Sequence, residues 1–351
     1  MRVVEDDGLI IGVDTHLDTH TAAICDARGR VVAQLQIPAT TAGYVQVLAW
    51  ARQAAGTRAV AWAVEGTRHY GLGLARHLTA QGEQVAEIDC SRHIGKRRAG
   101  KSDPIDAVRA ARELLARPAP AQMRADGDRE ALRLLMIDRD NAVQSAKTAR
   151  TALAAVLVTA PAPLRERIRP LPRVRRAREC AALTCPAGAD RQTRVLHQAL
   201  ARLGQRIAAL AEVAAELEAQ IGEIVEEMTP GLVAAEYGLG YLSAAQILLS
   251  WSHAGRIRSE QAFAMLSGTA PVPVSSGRTD RHRLNRLGDR QLNRAIHTIA
   301  VTRMRCHQPT QAYAQRRRAE GKTDREIRRC IKRYLARHLY RTLTNGSLSG
   351  P

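Results

Sequence analysis

Two short apolar runs that each stop at an acid constrain this chain more than any other feature. Leu9-Ile10-Ile11-Gly12-Val13-Asp14 and Ala59-Val60-Ala61-Trp62-Ala63-Val64-Glu65 are too short for core helices. They are also too continuously apolar for half-exposed strands, so each predicts a strand buried on both faces. Between them, residues 21–25 and 31–37 flank Asp26-Ala27-Arg28-Gly29, which predicts a hairpin. Helices are predicted over residues 41–54 and 71–80, and a further strand over 84–88. A hairpin followed by strand–helix alternation implies an α/β layer fold with a mixed sheet. Acids at the carboxyl ends of neighbouring strands point into one crevice.

The next helix opens at Gly100-Lys101-Ser102-Asp103-Pro104-Ile105-Asp106-Ala107. Ser102 or Asp103 is suited to cap it, and Pro104 fits the first turn. Asp103 and Asp106, three apart, then share a helix face, where two carboxylates repel unless a cation lies between them. A capped helix with a solvated first turn explains this pair alone. Asp14, Glu65, Asp103 and Asp106 together make a candidate cluster, and an all-oxygen set selects Mg²⁺ or Mn²⁺. Two such ions hold the attacking and leaving oxygens of a phosphodiester. His16, Asp18 and His20 fall in a polar loop after Asp14 and are expected to be solvated rather than ligating.

Charge narrows the partners. The 351 residues carry 53 Lys and Arg against 34 Asp and Glu, a formal net charge of +19, which points to a polyanion. Glu5, Asp6 and Asp7 at the start do not suit a signal peptide, and no apolar run reaches spanning length, so a membrane is not expected as a partner. The six cysteines include no CxxC pair, which argues against a zinc site or disulfide framework and fits the reducing cytoplasm. With Phe263 the single phenylalanine and aromatics at 3%, a base-stacking single-strand platform is disfavoured relative to backbone or duplex contact. Arg97, Arg98 and Lys101 precede the acidic helix and are candidate phosphate contacts.

A helix is predicted over 130–158, then a Pro- and Arg-rich stretch over 161–186 that reads as an exposed basic connector. Leu196, Leu200, Leu203, Ile207, Leu210, Ala214, Leu217, Ile221, Ile224 and Met228 follow in steps of four and three, a heptad seam. It can pack on the earlier helix of the same chain or on another protomer. Gly238-Leu239-Gly240 predicts a tight turn into a helix. Farther on, Ala270-Pro271-Val272-Pro273-Val274-Ser275-Ser276-Gly277-Arg278 places two serines at a turn near Arg281, Arg283 and Arg286. Nearby guanidinium groups would stabilise a seryl alkoxide and bind a phosphate, although an ordinary polar turn explains the residues by themselves. Thr323-Asp324-Arg325-Glu326 is a capping box. The helix it opens sets Ile327, Ile331, Tyr334, Leu335, His338 and Leu339 on one face. The tail over 346–351 is expected to be disordered.

Gly12-Val13-Asp14-Thr15-His16, Val64-Glu65-Gly66-Thr67 and Gly100 to Ala107 together resemble the DEDD motifs of the insertion-sequence one-ten transposases, relatives of the Piv-type DNA invertases. The resemblance implies an α/β RuvC-like domain of the ribonuclease-H fold over 1–125 and a helical coiled-coil insertion with a basic linker over 126–228. A mainly α transposase domain over 229–345 would follow. It places the metal-binding acids on Asp14, Glu65, Asp103 and Asp106, with Mg²⁺ as cofactor. It makes the serine after Ala270-Pro271-Val272 the nucleophile: Ser276, directly before Gly277, with Ser275 as runner-up. Acids from one domain and the serine from another would complete one site that cleaves and rejoins donor and target DNA through a phosphoserine linkage. The resemblance further implies a structured noncoding bridge RNA as guide, and a homo-oligomer, dimer to tetramer, assembled through the coiled coil. Arg278, Arg281 and Arg283 would contact nucleic acid. Two other functions fit the same residues: a resolvase-like nuclease of the Holliday-junction kind in which water attacks, and a non-catalytic nucleic-acid-binding protein.

Overall fold

The computed structural model describes residues 8–88, 103–116, 121–276, 279–283, 285 and 288–345. Arg97, Arg98, Lys101, Ser102, Arg278, Arg286 and the tail over 346–351 lie outside the described residues. The chain divides into two compact units, 1–124 with 255–257, and 125–254 with 258–351.

In the first unit the expected strands and helices form β1 (Leu9–Thr15), β2 (Thr19–Asp26), β3 (Val31–Pro38), α1 (Thr41–Ala55), β4 (Val60–Glu65), α2 (Leu72–Ala80), β5 (Gln84–Ile88) and α3 (Asp103–Ala116). A two-residue strand, β6 (Ala121–Gln122), is too short to show in a hydropathy pattern. The sheet order is β3-β2-β1-β4-β5-β6. β1, β4 and β5 are parallel neighbours, while β2, β3 and β6 pair antiparallel.

Period-two alternation assigns the two faces. Leu9, Ile11 and Val13 of β1, with Trp62 and Val64 of β4, pack beneath Val47, Leu48, Leu74 and Leu78 of α1 and α2. Ile10 of β1, with Ala61 and Ala63 of β4, faces Ala107, Ala110, Ala111 and Leu114 of α3. The α3 side is lined by small residues, and the helix can therefore lie close to the sheet. At Gly12 the approach is closest: a Cβ there would stand 2.0 Å from the Ala107 carbonyl oxygen and 2.5 Å from the Ala111 nitrogen.

The second unit is mostly helical: α4 (Asp128–Val158), α5 (Ala162–Ile168), α6 (Arg173–Ala181), α7 (Arg191–Met228), α8 (Leu232–Ala235), α9 (Tyr241–Trp251) and α10 (Glu260–Leu266), then a hairpin of β7 (Val272–Ser276) and β8 (Thr279–Arg283), and α11 (Arg290–Cys306), α12 (Gln308–Ala319) and α13 (Asp324–Asn345). The heptad seam packs within the chain. Arg139 of α4 pairs with Glu218 of α7 at 2.6 Å, whereas Ala149, Leu153 and Leu157 share a cluster with Leu200 and Ile207, so the two long helices run antiparallel.

The basic stretch over 161–186, read as an exposed connector, does leave Arg167, Arg169, Arg173, Arg175 and Arg178 exposed, but it is built of two short helices. Pro161 and Pro172 each stand at the N-cap of a short helix, α5 and α6, where the backbone is still extended and no N–H is needed by the helix. Ile168, Ala177 and Cys180 are buried against α7, where Gly204 leaves room for the α6 backbone: a Cβ would be 2.4 Å from the Ala181 nitrogen. The capping box on α13 forms as expected, with Glu326 Oε2 accepting from the Thr323 N–H at 2.9 Å. On that helix Ile327, Ile331, Leu335 and Leu339 are buried, but Tyr334 and His338 are exposed at the edge of the face, and Lys332 is buried instead. Among the described residues no helix is long and apolar enough to cross a membrane.

Candidate active site

The strand ends and the α3 terminus bring Asp14 and Asp103 together, with Glu65 at the end of the neighbouring strand. Val13 of β1 is level with Val64 of β4, so Asp14 and Glu65 follow side by side on parallel strands, both on the α3 face. Asp14 lies two residues beyond Gly12, about 7 Å along a strand. Asp103 lies four residues before Ala107, about 6 Å along a helix and on the same face. The close Gly12–Ala107 contact therefore sets the first turn of α3 beside Asp14. Thr15 donates its hydroxyl to the Glu65 carbonyl at 2.9 Å, tying the two strand ends together.

Asp14 is buried, whereas Asp103 is more open. His16, expected to be solvated, lies between them: its Nδ1 is 3.7 Å from Asp14 Oδ2 and 4.0 Å from Asp103 Oδ2. The hydrogen bond from the His16 N–H to the Thr19 carbonyl closes the β1–β2 turn and returns the ring over the acids. One ligand atom from each of Asp14, His16 and Asp103 falls within a common 4.8 Å. That spacing suits ligands on a single ion, and the carboxylates suit Mg²⁺ or Mn²⁺. Asp106 is directed to Arg109, whose Nη1 donates to it at 2.6 Å. Arg109 is the cation that lets two acids share the first turn. In the sequence Gly12 and Thr15 stand out only as motif neighbours of Asp14, His16 only as a solvated loop residue, and Arg109 not at all. An i, i+3 partner for Asp106 was the available signal for the last of these.

His20 was also assigned to the loop, but it belongs to β2. Alternation turns it to the opposite face of the sheet, where it is fully buried and stacks on Tyr44 with centroids 5.8 Å apart. Burial lowers its pKa from the ordinary 6.5, despite the bond to the Thr19 carbonyl.

A fifth acid, Glu87 of β5, also lies away from α3. It is level with Val64 and buried, with Arg68 at 3.3 Å, Arg124 at 3.5 Å and Arg256 at 3.2 Å. Burial pushes its carboxyl up, but the charges of Arg256, Arg124 and Arg68 outweigh burial and hold it below the ordinary 4.5. An acid so enclosed by guanidinium groups is a structural anchor.

The serine segment forms a hairpin rather than a simple turn. Ser275 is paired with Asp280 and Ser276 with Thr279, at the closed end of β7–β8, while Val272 and Arg283 pair at its base. Arg281 lies in β8, opposite Val274.

The transposase family DEDD_Tnp_IS110 matches residues 11–160, which hold all four acids. The family described as Transposase IS116/IS110/IS902 matches residues 232–315, which hold the serine hairpin. No curated protein matches the chain. An α/β unit with an acidic crevice, joined to a helical unit with a serine hairpin, is thus the architecture of a DNA transposase. The chain belongs to the IS110-type transposases, enzymes that act on DNA.

Proposed function

We propose that the chain cleaves and rejoins donor and target DNA through a phosphoserine intermediate, using Asp14, Glu65, Asp103 and Asp106 as a metal site and Ser276 as the nucleophile. The observation that carries this reading is the convergence of two strand-end acids with the first turn of α3. The sheet order, with an antiparallel β3-β2-β1 hairpin set beside parallel β4 and β5, supports a RuvC-like, ribonuclease-H-type domain over 1–125. The helical insertion over 126–228 and the transposase domain over 229–345 complete the three parts.

In this mechanism the Ser276 oxygen forms a bond to phosphorus as the phosphorus–oxygen bond to the leaving deoxyribose breaks. The serine proton passes to the leaving oxygen. Rejoining reverses the exchange, with a second strand's hydroxyl attacking the phosphoserine, so the bond energy is retained. Asp14, Glu65 and Asp103, with Asp106 beside them, would hold Mg²⁺, which when bound stabilises charge on the departing oxygen. Arg278, Arg281 and Arg283, together with Arg97, Arg98 and Lys101, contact the nucleic-acid backbone. A structured bridge RNA pairs with both DNAs and shares that basic surface, in a dimer to tetramer working in the cytoplasm. The net charge of +19 supports a protein that holds two kinds of backbone.

A nicked DNA substrate tests the chemistry. A covalent adduct mapped to Ser276, absent in Ser276→Ala and retained in part by Ser275→Ala, is the expected result. Metal-dependent cleavage without an adduct, undiminished in Ser276→Ala, would transfer the assignment to a resolvase-like hydrolysis.

A further inference from the structure

A cavity of about 690 Å³ opens between the base of the serine hairpin, the turn before α13 and the exposed side of α13. Five cations line it: Arg283, Lys322, Arg329, Lys332 and Arg333. Glu326 is the one acid among the described lining residues; its Oε2 accepts from the Thr323 N–H and hydroxyl at 2.9 and 2.7 Å, and its Oε1 stands 4.0 Å from the Arg329 guanidinium. Lys332 is buried and donates to Asn293 Oδ1 at 2.7 Å, which leaves its charge uncompensated by any carboxylate at that contact. Burial, and then the neighbouring charge of Arg328, lowers its pKa. Arg333 reaches Glu260 at 3.4 Å with one nitrogen, while its buried Nη1 has no partner among the described residues. Arg329 faces Glu326 and Arg333 faces Glu260, but five cations against one lining acid still leave a net positive wall that an anion would answer.

The dimensions narrow the anion. Cavities of about 300–1,000 Å³ admit small molecules, and this one is larger than a lone phosphate needs. Tyr334, 56% exposed, adds an aromatic face to the lining, held edge-on by Tyr313 with centroids 6.0 Å apart. A cationic wall with one exposed ring matches a nucleotide: phosphate on the guanidinium and ammonium groups, base against the ring. Arg283 stands opposite Val272, four residues from Ser276, about 13 Å along the strand. A strand seated here therefore lies on the hairpin that carries the serines.

We propose that this cavity seats one nucleotide of a single nucleic-acid strand, gripping its phosphodiester through Lys322, Arg329 and Arg333 and its base through Tyr334. The proposal rests on the chain acting on nucleic acid, and it does not require Ser276 to be the nucleophile. DNA and RNA share the chemistry that the cavity recognises, so the test carries both.

Cys330 also lines the cavity and is partly exposed, whereas Cys185 and Cys306 are exposed elsewhere. Alkylation of the full-length chain by N-ethylmaleimide, followed by peptide mass spectrometry, reads all three thiols at once. It is run alone and with a saturating 12-nucleotide DNA strand, the equivalent RNA strand, or inorganic phosphate, with binding of the labelled strands followed by anisotropy. The expected result is at least about fivefold slower alkylation of Cys330 with an oligonucleotide, and unchanged rates at Cys185 and Cys306. In Lys322→Ala/Arg329→Ala that protection should disappear, and Tyr334→Ala should weaken it. The strand that protects identifies the source, and protection by phosphate at equal concentration would reduce the site to an anion hole and overturn the nucleotide assignment. Bound oligonucleotide with Cys330 unprotected, equal protection of all three thiols, or no binding of either strand would also overturn it. Loss of the covalent adduct in Ser276→Ala leaves this protection intact, so the two readings fail separately.

Discussion

Asp14 and Glu65 stand side by side because β1 and β4 are parallel and Val13 is level with Val64. An antiparallel pairing would have sent the two acids to opposite ends of the sheet. Asp103 and His16 lie close to Asp14 and with it mark where a divalent ion would be held. Asp14→Asn and Asp103→Asn should each weaken Mn²⁺ binding, measured calorimetrically, by more than the roughly 10–100-fold that second-sphere changes cost. Strand exchange should be abolished while nucleic-acid affinity and the melting temperature hold. Full activity in either variant would remove that acid from the site.

Glu87 gives a different expectation from the same residue type. Glu87→Gln leaves three guanidinium groups around a neutral amide, and breaking such a buried set costs about 3 kcal/mol. Because the folded carboxyl titrates below its ordinary 4.5, its contribution is fully present above that value and is lost as pH falls through the lowered one. Urea unfolding at neutral pH should show the full gap between wild type and variant, and the gap should narrow in acid. A constant gap would mean the charge is not what matters.

His20 sets a second and separate acid limb. Its pKa is lowered in the folded chain, so below about 6.5 the unfolded state takes up a proton that the folded state resists. Wild-type melting temperature should begin to fall below that pH, well before Glu87 titrates. His20→Phe keeps a ring against Tyr44 and should flatten this first part of the decline. An unchanged profile would show that His20 does not drive it.

Affinity for DNA should fall steeply with salt. With 53 cations against 34 acids and few aromatics, release of counterions dominates binding. Anisotropy titrations from low to moderate salt should give a log–log slope of about −4 or steeper. A nearly flat dependence would point to apolar or base-edge contacts as the main source of affinity.

The sheet was legible because its strands are short apolar runs bounded by turns, and the acids were legible because they interrupt those runs. The helices α5 and α6 were hidden behind their own prolines: Pro161 and Pro172 read as breakers when they serve as starters. Their burial also depends on Gly204, more than twenty residues downstream. Glu87 falls within the predicted strand over 84–88, but its role was hidden because its partners come from 68, 124 and 256 and no local pattern joins them. His16 and His20 part ways: His16 stays half-exposed in the turn, near the acids, whereas His20 is buried in β2. The difference is where β2 begins, a boundary that periodicity does not fix to a single residue. Tyr334 and His338 kept helical spacing with the core but sit at its rim, where spacing alone does not separate buried from exposed.

The contact at Gly12 has a consequence for how a saturation mutagenesis map of this gene would read. Every replacement there adds a Cβ that meets α3 backbone, which cannot swing aside as a side chain can. Even Gly12→Ala should cost about 1–3 kcal/mol and displace the first turn of α3 from Asp14. In such a map the position would be as intolerant as the acids, though it has no side chain with which to touch metal or DNA. Its failures would differ from theirs in one respect: a second-site change that lets α3 stand farther from β1 could restore a Gly12 variant, and no such change could restore a missing carboxylate.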